Sequence, residues 1–203
     1  MMRKTLFPAL LIAALSLCCL PASAQYTLDE IGINAGGGFT HMNTPLTETG
    51  PGANVNAFYG HYFCGKRYGI HTQAGVNYFS TGYEGFRRSQ VQVEGGFFFK
   101  VKRRDYHRPK EWALIIGPKV QVPVVRTVNY DLPAGASAPD WTPVIPVGHI
   151  SLQFRRPAPE KKSWFIQPGF EYGLLPDYTL GGLDVNRTYI FLHFGYAFFD
   201  KRG

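Results

Sequence analysis

The sequence predicts an all-β protein: an eight-stranded antiparallel up-and-down transmembrane β-barrel. Along almost the whole chain, bulky apolar residues alternate with small or polar ones, which is the period of a strand. The alternating segments run for about 12 to 15 residues, longer than the roughly 5 to 6 of a typical soluble strand. The chain also combines 16 Phe, 12 Tyr, 3 Trp and 23 Gly with only 17% charged residues. Because so aromatic a chain buries enough surface to fold, this composition excludes a disordered protein.

Residues 1–24 are predicted to be a secretory signal peptide. Arg3 and Lys4 precede the mostly apolar run 6–20, and Ala22-Ser23-Ala24 supplies a small-residue site for cleavage before Gln25. These are the three regions of such a peptide. The predicted mature protein is therefore one barrel domain spanning residues 25–203.

Two alternatives for this segment are weaker. A transmembrane anchor helix needs a longer apolar run than 6–20. A lipoprotein would be acylated at Cys18 or Cys19, but Leu17 stands where such sites carry a small residue. After the predicted cleavage only Cys64 remains, which excludes an internal disulfide and a cysteine-based metal cluster.

Eight segments carry the strand period, and each is longer than the roughly 9 to 11 residues that a tilted strand needs to cross hydrocarbon. The predicted strands cover 30–42, 53–64, 67–79, 89–102, 111–125, 144–155, 163–175 and 187–199. No run of 18 or more apolar residues follows the signal peptide, so strands are the means by which the mature chain would cross a membrane.

The two faces of these strands predict which side meets lipid. In the last strand Ile190, Leu192 and Phe194 share one face, whereas His193 and Gly195 share the other. A soluble ligand-binding barrel would turn its bulky apolar face inward, and a narrow interior has little room for it. The small and polar face is therefore predicted to line the lumen, and the apolar face to contact lipid.

The connections between predicted strands alternate in length. Those at 65–66 and 157–162 are short and that at 103–110 is moderate, whereas those at 43–52, 80–88, 126–143 and 176–186 are longer. In outer-membrane barrels short turns and both termini face the periplasm, and long loops face outward. Aromatic residues on the apolar face beside the short turns are expected to form a girdle: Phe63, Tyr68, Phe99, Trp112, Phe154, Trp164 and Phe198.

Basic residues cluster at the short turns, and the chain carries a formal net charge of +7. Net positive charge raises the alternative of a nucleic-acid surface. The basic residues mark the ends of turns, however, and do not form a binding module. Contact with lipid headgroups is therefore the predicted role, with outer-membrane lipid as a partner and no nucleic acid.

The final alternating segment, Tyr-Ile-Phe-Leu-His-Phe-Gly-Tyr-Ala-Phe-Phe at 189–199, resembles the C-terminal strand signal of barrel insertion, although residues 200–203 follow its terminal aromatic residue. Together with the alternation over 25–203, it resembles the superfamily of small eight-stranded outer-membrane barrels, OmpA-like and OmpX-like proteins and particularly PorT-like barrels. This resemblance implies an outer-membrane location, and a PorT-like barrel would serve protein export as an accessory component.

Counting back from the predicted turns places polar residues together in the lumen. His149 is expected to face Glu171, which also faces His193, and Glu94 is expected near Lys119. The favoured interpretation is a charge-paired network that fills a narrow barrel, because an unpaired buried charge is costly.

Three other interpretations of this lumen network stay open. A hydrolase would use His149 as base, Ser151 as nucleophile and Glu171 as the orienting group. A metal site would use the two histidines with Glu171, and the network could also conduct protons or solutes. We predict no catalytic, cofactor-binding or metal site.

The longest predicted loop, 126–143, carries Tyr130, Asp131 and Trp141 as candidate contacts for an external partner. The expected function is that of a non-enzymatic structural or interaction barrel, with envelope proteins as partners. The alternative is a narrow pore for small solutes or ions, although eight strands leave an interior that side chains nearly fill.

Overall fold

The computed structural model describes residues 27–43, 48–63, 67–83, 86–105, 110–130, 140–155, 162–180 and 182–202. The predicted signal peptide and Asp131 lie outside these ranges. Across the described part of the chain, a helix long and apolar enough to cross a membrane is absent.

Eleven strands make up the described structure. They are β1 (Thr27–Met42), β2 (Glu48–Phe63), β3 (Tyr68–Tyr83), β4 (Phe86–Asp105), β5 (Lys110–Tyr130), β6 (Asp140–Trp141), β7 (Ile145–Arg155), β8 (Lys162–Gly173), β9 (Tyr178–Leu180), β10 (Leu183–Val185) and β11 (Arg187–Arg202). Eight of them are long and correspond to the eight predicted strands.

The eight long strands close into a barrel in the order β1-β11-β8-β7-β5-β4-β3-β2. Every long strand pairs antiparallel with its neighbours in sequence, and β1 pairs with β11 from Thr27 opposite Arg202 to Met42 opposite Arg187. Since closure pairs both edges, the barrel satisfies the backbone polar groups that an open sheet would leave in lipid. The predicted fold class is confirmed.

On the side of the long connections, β2 to β5 extend beyond their predicted ends, whereas β8 ends at Gly173, two residues before its predicted end at 175. β2 begins at Glu48 and β5 ends at Tyr130, inside the predicted loops 43–52 and 126–143. A small separate sheet, β10-β9-β6, forms within the predicted loops 126–143 and 176–186. The sequence prediction missed these parts because hydrogen-bonded strands outside lipid do not need an apolar face.

The barrel has the predicted orientation of its two faces. Large apolar residues are exposed on the outside of every long strand, with Phe39 73% and Trp164 72% exposed. Side chains buried inside are mostly polar or charged. Five members of the predicted aromatic girdle are exposed on this outer face: Phe99, Trp112, Phe154, Trp164 and Phe198.

The lumen also holds aromatic rings, which the sequence analysis did not anticipate. Phe58, Phe98, Phe165 and Phe191 are all buried inside the barrel. Each ring covers a glycine on its own or a neighbouring strand, as Phe165 covers Gly195, where an added Cβ would meet the ring at 1.9 Å. Lumen-facing glycines therefore provide the space that bulky rings need in a narrow barrel.

Candidate functional site

Lys119 on β5 forms the centre of the polar lumen. Its Nζ lies 2.7 Å from Glu94 Oε2 on β4 and 2.6 Å from Glu171 Oε1 on β8. Gln121 adds a second donor, since its Nε2 lies 3.0 Å from Glu94 Oε2. All four side chains are buried. One cation thus lies between two carboxylates, and each carboxylate accepts hydrogen bonds as a buried charge requires.

Glu171 also contacts His149, its partner in the register of β7 and β8. His149 Nδ1 lies 2.9 Å from Glu171 Oε1, and Nε2 lies 2.9 Å from Ser151 Oγ. Gln167 Nε2 donates to the same Oγ at 2.9 Å. Because Glu171 as a carboxylate only accepts, His149 Nδ1 donates to it, and in a neutral imidazole Nε2 then accepts the hydroxyl hydrogen of Ser151.

The structure does not bring His193 into this cluster. Along β11 and β8 His193 faces Gln167, and Tyr189 faces Glu171. The predicted pairing of His193 with Glu171 is therefore wrong by four residues. The His193 ring stacks on Phe191 at 4.1 Å between ring centroids, and neither ring nitrogen has a hydrogen-bond partner.

A second charged cluster, missed in the sequence analysis, lies toward the end where the chain termini meet. Glu30 on β1 accepts a hydrogen bond from Arg155 on β7, and Lys100 Nζ on β4 lies 3.2 Å from Glu30 Oε2. Tyr62 donates its hydroxyl to the same carboxylate. β1 is a neighbour of neither β4 nor β7 in the barrel, so the contacts of Glu30 with Lys100 and Arg155 cross the lumen. Glu30 lies on the even-numbered face of β1, which turns toward the lumen. The alternation in the sequence of β1 therefore already indicated that Glu30 points inward.

Toward the other end, Arg187 on β11 spans the lumen. Its Nη1 donates to Gln92 Oε1 on β4 at 3.0 Å, and Nη2 donates to Gln121 on β5. Nη1 also lies 3.8 Å from Asp177 Oδ2, in the segment between β8 and β9. Polar side chains therefore cross the interior at three successive levels of the barrel.

Beyond these levels, toward the long connections, the small sheet packs against the barrel. Arg88 of the barrel lies among aromatic rings at this contact. The guanidinium carbon of Arg88 lies 4.7 Å from the centroid of Tyr178, 5.3 Å from Trp141 and 5.4 Å from Phe79. Two of these rings belong to β9 and β6. Such cation–π contacts hold the small sheet against the barrel wall. Tyr178 adds a hydrogen bond from its hydroxyl to Glu48 Oε1 at 2.7 Å.

The three candidate loop contacts differ in their placement. Trp141 is half-buried, with its ring 4.9 Å from that of Tyr178 and with the guanidinium of Arg126 5.0 Å above it. Tyr130 ends β5, whereas Asp131 lies outside the described residues. Trp141 therefore packs within the molecule, and a contact of these residues with a partner stays a prediction.

Within the described ranges, histidine, cysteine and carboxylate side chains form no group of three suited to a metal ion. His149 and Glu171 instead contact Ser151 and Lys119, respectively. The Ser151–His149–Glu171 arrangement has the contacts of a hydrolase triad. Ser151 is 2% exposed, however, and its hydroxyl is enclosed among lumen side chains. We therefore interpret the arrangement as support for the Lys119 ion pairs.

This interpretation predicts that Ser151 does not react with a fluorophosphonate probe in the folded barrel, because the reagent cannot reach its Oγ. In-gel fluorescence after incubation of the folded protein measures the reaction. An added serine hydrolase in the same sample controls for probe activity. Labelling that disappears in Ser151→Ala would show an accessible nucleophile and contradict the interpretation.

No family model matches the chain, and no curated protein matches it significantly. Solved outer-membrane proteins do resemble it in structure. OprG from Pseudomonas aeruginosa aligns with a TM-score of 0.50 at 8% identity, covering 88% of this chain and 97% of OprG.

Two further structures align with lower scores. Neisserial surface protein A aligns with a TM-score of 0.45 at 10% identity, covering 84% of this chain and 96% of that protein. Ail of Yersinia pestis aligns with a TM-score of 0.43 at 14% identity, covering 84% of this chain and 99% of Ail. At these identities the likeness concerns the fold alone. The chain has the fold of the small eight-stranded outer-membrane β-barrels.

Proposed function

We propose that this chain spans the outer membrane of a Gram-negative bacterium as a non-enzymatic structural or interaction barrel. The observation that carries the proposal is the placement of apolar side chains outside the barrel and charged ones inside, the reverse of a soluble protein. Ile33, Val55 and Phe194 are exposed on the outside, whereas Glu30, Lys119 and Glu171 are buried inside. A lipid surrounding makes such an exposed apolar surface favourable.

The interior supports a structural role over a transport role. Arg155 with Glu30, Lys119 with Glu171, and Arg187 with Gln92 each join strands that are not neighbours in the barrel. These contacts obstruct the lumen at three levels. Rupturing any of them to admit an ion would remove a contact from a buried charged side chain, which is costly. Function is therefore assigned to the two ends of the barrel.

The proposal includes export through the 1–24 signal peptide and termini in the periplasm. The described chain begins and ends at one end of the barrel, where Thr27 pairs with Arg202. This is also the end of the short connections, for β2 ends at Phe63 and β3 begins at Tyr68. That end faces the periplasm in known outer-membrane barrels.

The partners we propose are proteins of the envelope, with the PorT-like role of an accessory in a protein-export assembly as the specific candidate. Affinity isolation of the tagged barrel from gently solubilised envelopes, followed by mass spectrometry, tests this role. Recovery of a defined set of export proteins is expected. Recovery of the barrel alone would overturn the accessory role.

Planar-bilayer recording separates the structural role from the alternative of a narrow pore. The purified barrel is expected to give no steady channels in KCl, because the paired side chains close the lumen. Steady channels that change when Lys119 or Glu94 is replaced would favour transport and overturn the structural proposal.

A further inference from the structure

Charge is distributed unequally between the two ends of the barrel. At the end of the short connections, the segments 64–67, 103–110, 156–162 and 200–203 hold eleven Lys or Arg and three Asp or Glu. At the other end, the segments 43–47, 84–87, 126–143 and 174–186 hold two basic and five acidic residues. One end of the molecule is therefore strongly basic, which attracts an anionic partner.

Two arginines at this basic end, Arg67 and Arg103, lie next to each other because β3 pairs with β4. Arg67 immediately precedes β3, and its carbonyl accepts a hydrogen bond from the backbone N–H of Lys102 at 2.7 Å. Arg103 is the next residue of β4. Both arginine side chains are exposed, and neither forms an ion pair with a described acidic residue. Their charges are thus available to a ligand outside the protein.

Aromatic rings lie next to these cations on the outer face. Tyr68 follows Arg67, and its ring stacks on Phe99 with 6.0 Å between centroids. Phe99, on β4, shares the outer face with Arg103 and is 36% exposed. Aromatic residues that have an apolar surface on one side and cations on the other mark the boundary between acyl chains and headgroups. The cations lie just beyond that boundary, on the side of the headgroups.

A second group repeats this arrangement elsewhere on the rim. Trp164 packs edge-on against Tyr196 at 4.6 Å between centroids, and Tyr196 against Phe198 at 4.9 Å. The Nζ of exposed Lys162 lies 6.0 Å from the Phe198 ring centroid. The combination of outward rings with a cation beyond them is therefore a property of the rim and not of one strand.

We propose that this basic rim, represented by Arg67 and Arg103 with Tyr68 and Phe99, binds anionic glycerophospholipids. The phosphate accepts hydrogen bonds from the guanidinium groups, and the acyl chains lie along the rings. Arginine suits this ligand because its planar group can donate two hydrogen bonds to one phosphate. An acidic protein would use the same charges, but it would not require rings at the acyl boundary. The inference rests on the proposed insertion in a membrane.

Electron paramagnetic resonance of spin-labelled lipids tests this surface in the folded full-length barrel. Vesicles of phosphatidylcholine carry a trace of labelled phosphatidylglycerol or labelled phosphatidylcholine, and the motionally restricted fraction reports lipid at the protein. At low salt the wild-type barrel is expected to prefer phosphatidylglycerol. The preference should fall by about fivefold for each arginine removed in Arg67→Gln/Arg103→Gln, and it should weaken at high salt.

Arg87→Gln is the matched control, since Arg87 is an exposed arginine at the opposite end of β4. It is expected to leave the lipid preference unchanged. Equal binding of both labelled lipids by the wild type, or an equal loss in Arg87→Gln and the double variant, would overturn the proposal. A restricted fraction for both lipids would still show insertion, so this failure is distinct from failure of the barrel to enter vesicles.

Discussion

Lys119→Met is expected to lower the free energy of unfolding by about 3 to 5 kcal/mol, the cost of removing one partner from a buried ion pair. Lys119 contacts both Glu94 and Glu171. Methionine keeps most of the side-chain length but no charge, so the two carboxylates would face each other in the lumen. The shift in the denaturant midpoint of the barrel refolded into vesicles, followed by circular dichroism, measures this loss.

Lys162→Met is the control for the loss of a lysine, because Lys162 is exposed at the rim. It should change stability by less than about 1 kcal/mol. Adding Glu94→Gln and Glu171→Gln to Lys119→Met removes the unpaired charges and should recover part of the loss. A Lys119→Met barrel as stable as the wild type would show that the central ion pairs do not hold the lumen together.

Gly38→Ala is expected to destabilise the barrel by about 1 to 3 kcal/mol through overpacking. A Cβ at Gly38 would lie 1.9 Å from the backbone oxygen of Ile190, on the neighbouring strand β11. Gly36 is similar, with 2.1 Å to the backbone oxygen of Leu192. Backbone cannot move aside as a flexible side chain does, so β1 and β11 must separate locally. Thermal unfolding of the barrel in detergent, followed by its heat-dependent gel mobility, measures the effect.

Gly37→Ala provides a control within the same run of three glycines. Its Cβ would have one close contact, 3.1 Å to the backbone oxygen of Gly52. Its expected loss is therefore smaller than that of Gly36→Ala or Gly38→Ala. Equal losses at all three positions would mean that the close approach of β1 to β11 does not explain the glycines.

The alternation of apolar with small or polar residues sufficed to predict the barrel. In each strand, this period of two already separates a face toward lipid from a face toward the lumen. The pairing of His149 with Glu171 followed similarly, since the connection between β7 and β8 is short enough to set the register. His193 could not be placed this way. The sequence predicts that the strand of Glu171 continues to 175, whereas β8 ends at Gly173, and β9 and β10 lie between β8 and β11. An error in a strand end shifts every pairing that is counted from it.

Contacts across the lumen were beyond prediction from single strands. Arg155 reaches Glu30, 125 residues away in sequence, and only the order and stagger of all the strands in the closed barrel bring them together. The rings inside the barrel illustrate the same limit. Phe165 covers Gly195 on the adjacent strand β11. The alternation of β8 already turns Phe165 inward, but which glycine it covers depends on a register that the sequence of β8 alone does not contain. Propensity and alternation are local, whereas these contacts are not.

Quenching of single-tryptophan barrels by brominated lipid tests the inverted barrel most directly. Trp112 and Trp164 are exposed on the outer face, at 39% and 72%, whereas Trp141 packs in the small sheet at the long-loop end. In each variant, phenylalanine replaces the other two tryptophans. Acyl chains brominated near the headgroup are expected to quench Trp112 and Trp164 strongly and Trp141 weakly. Unquenched emission from both Trp112 and Trp164 in folded, vesicle-bound protein would contradict a barrel that turns its apolar face to lipid.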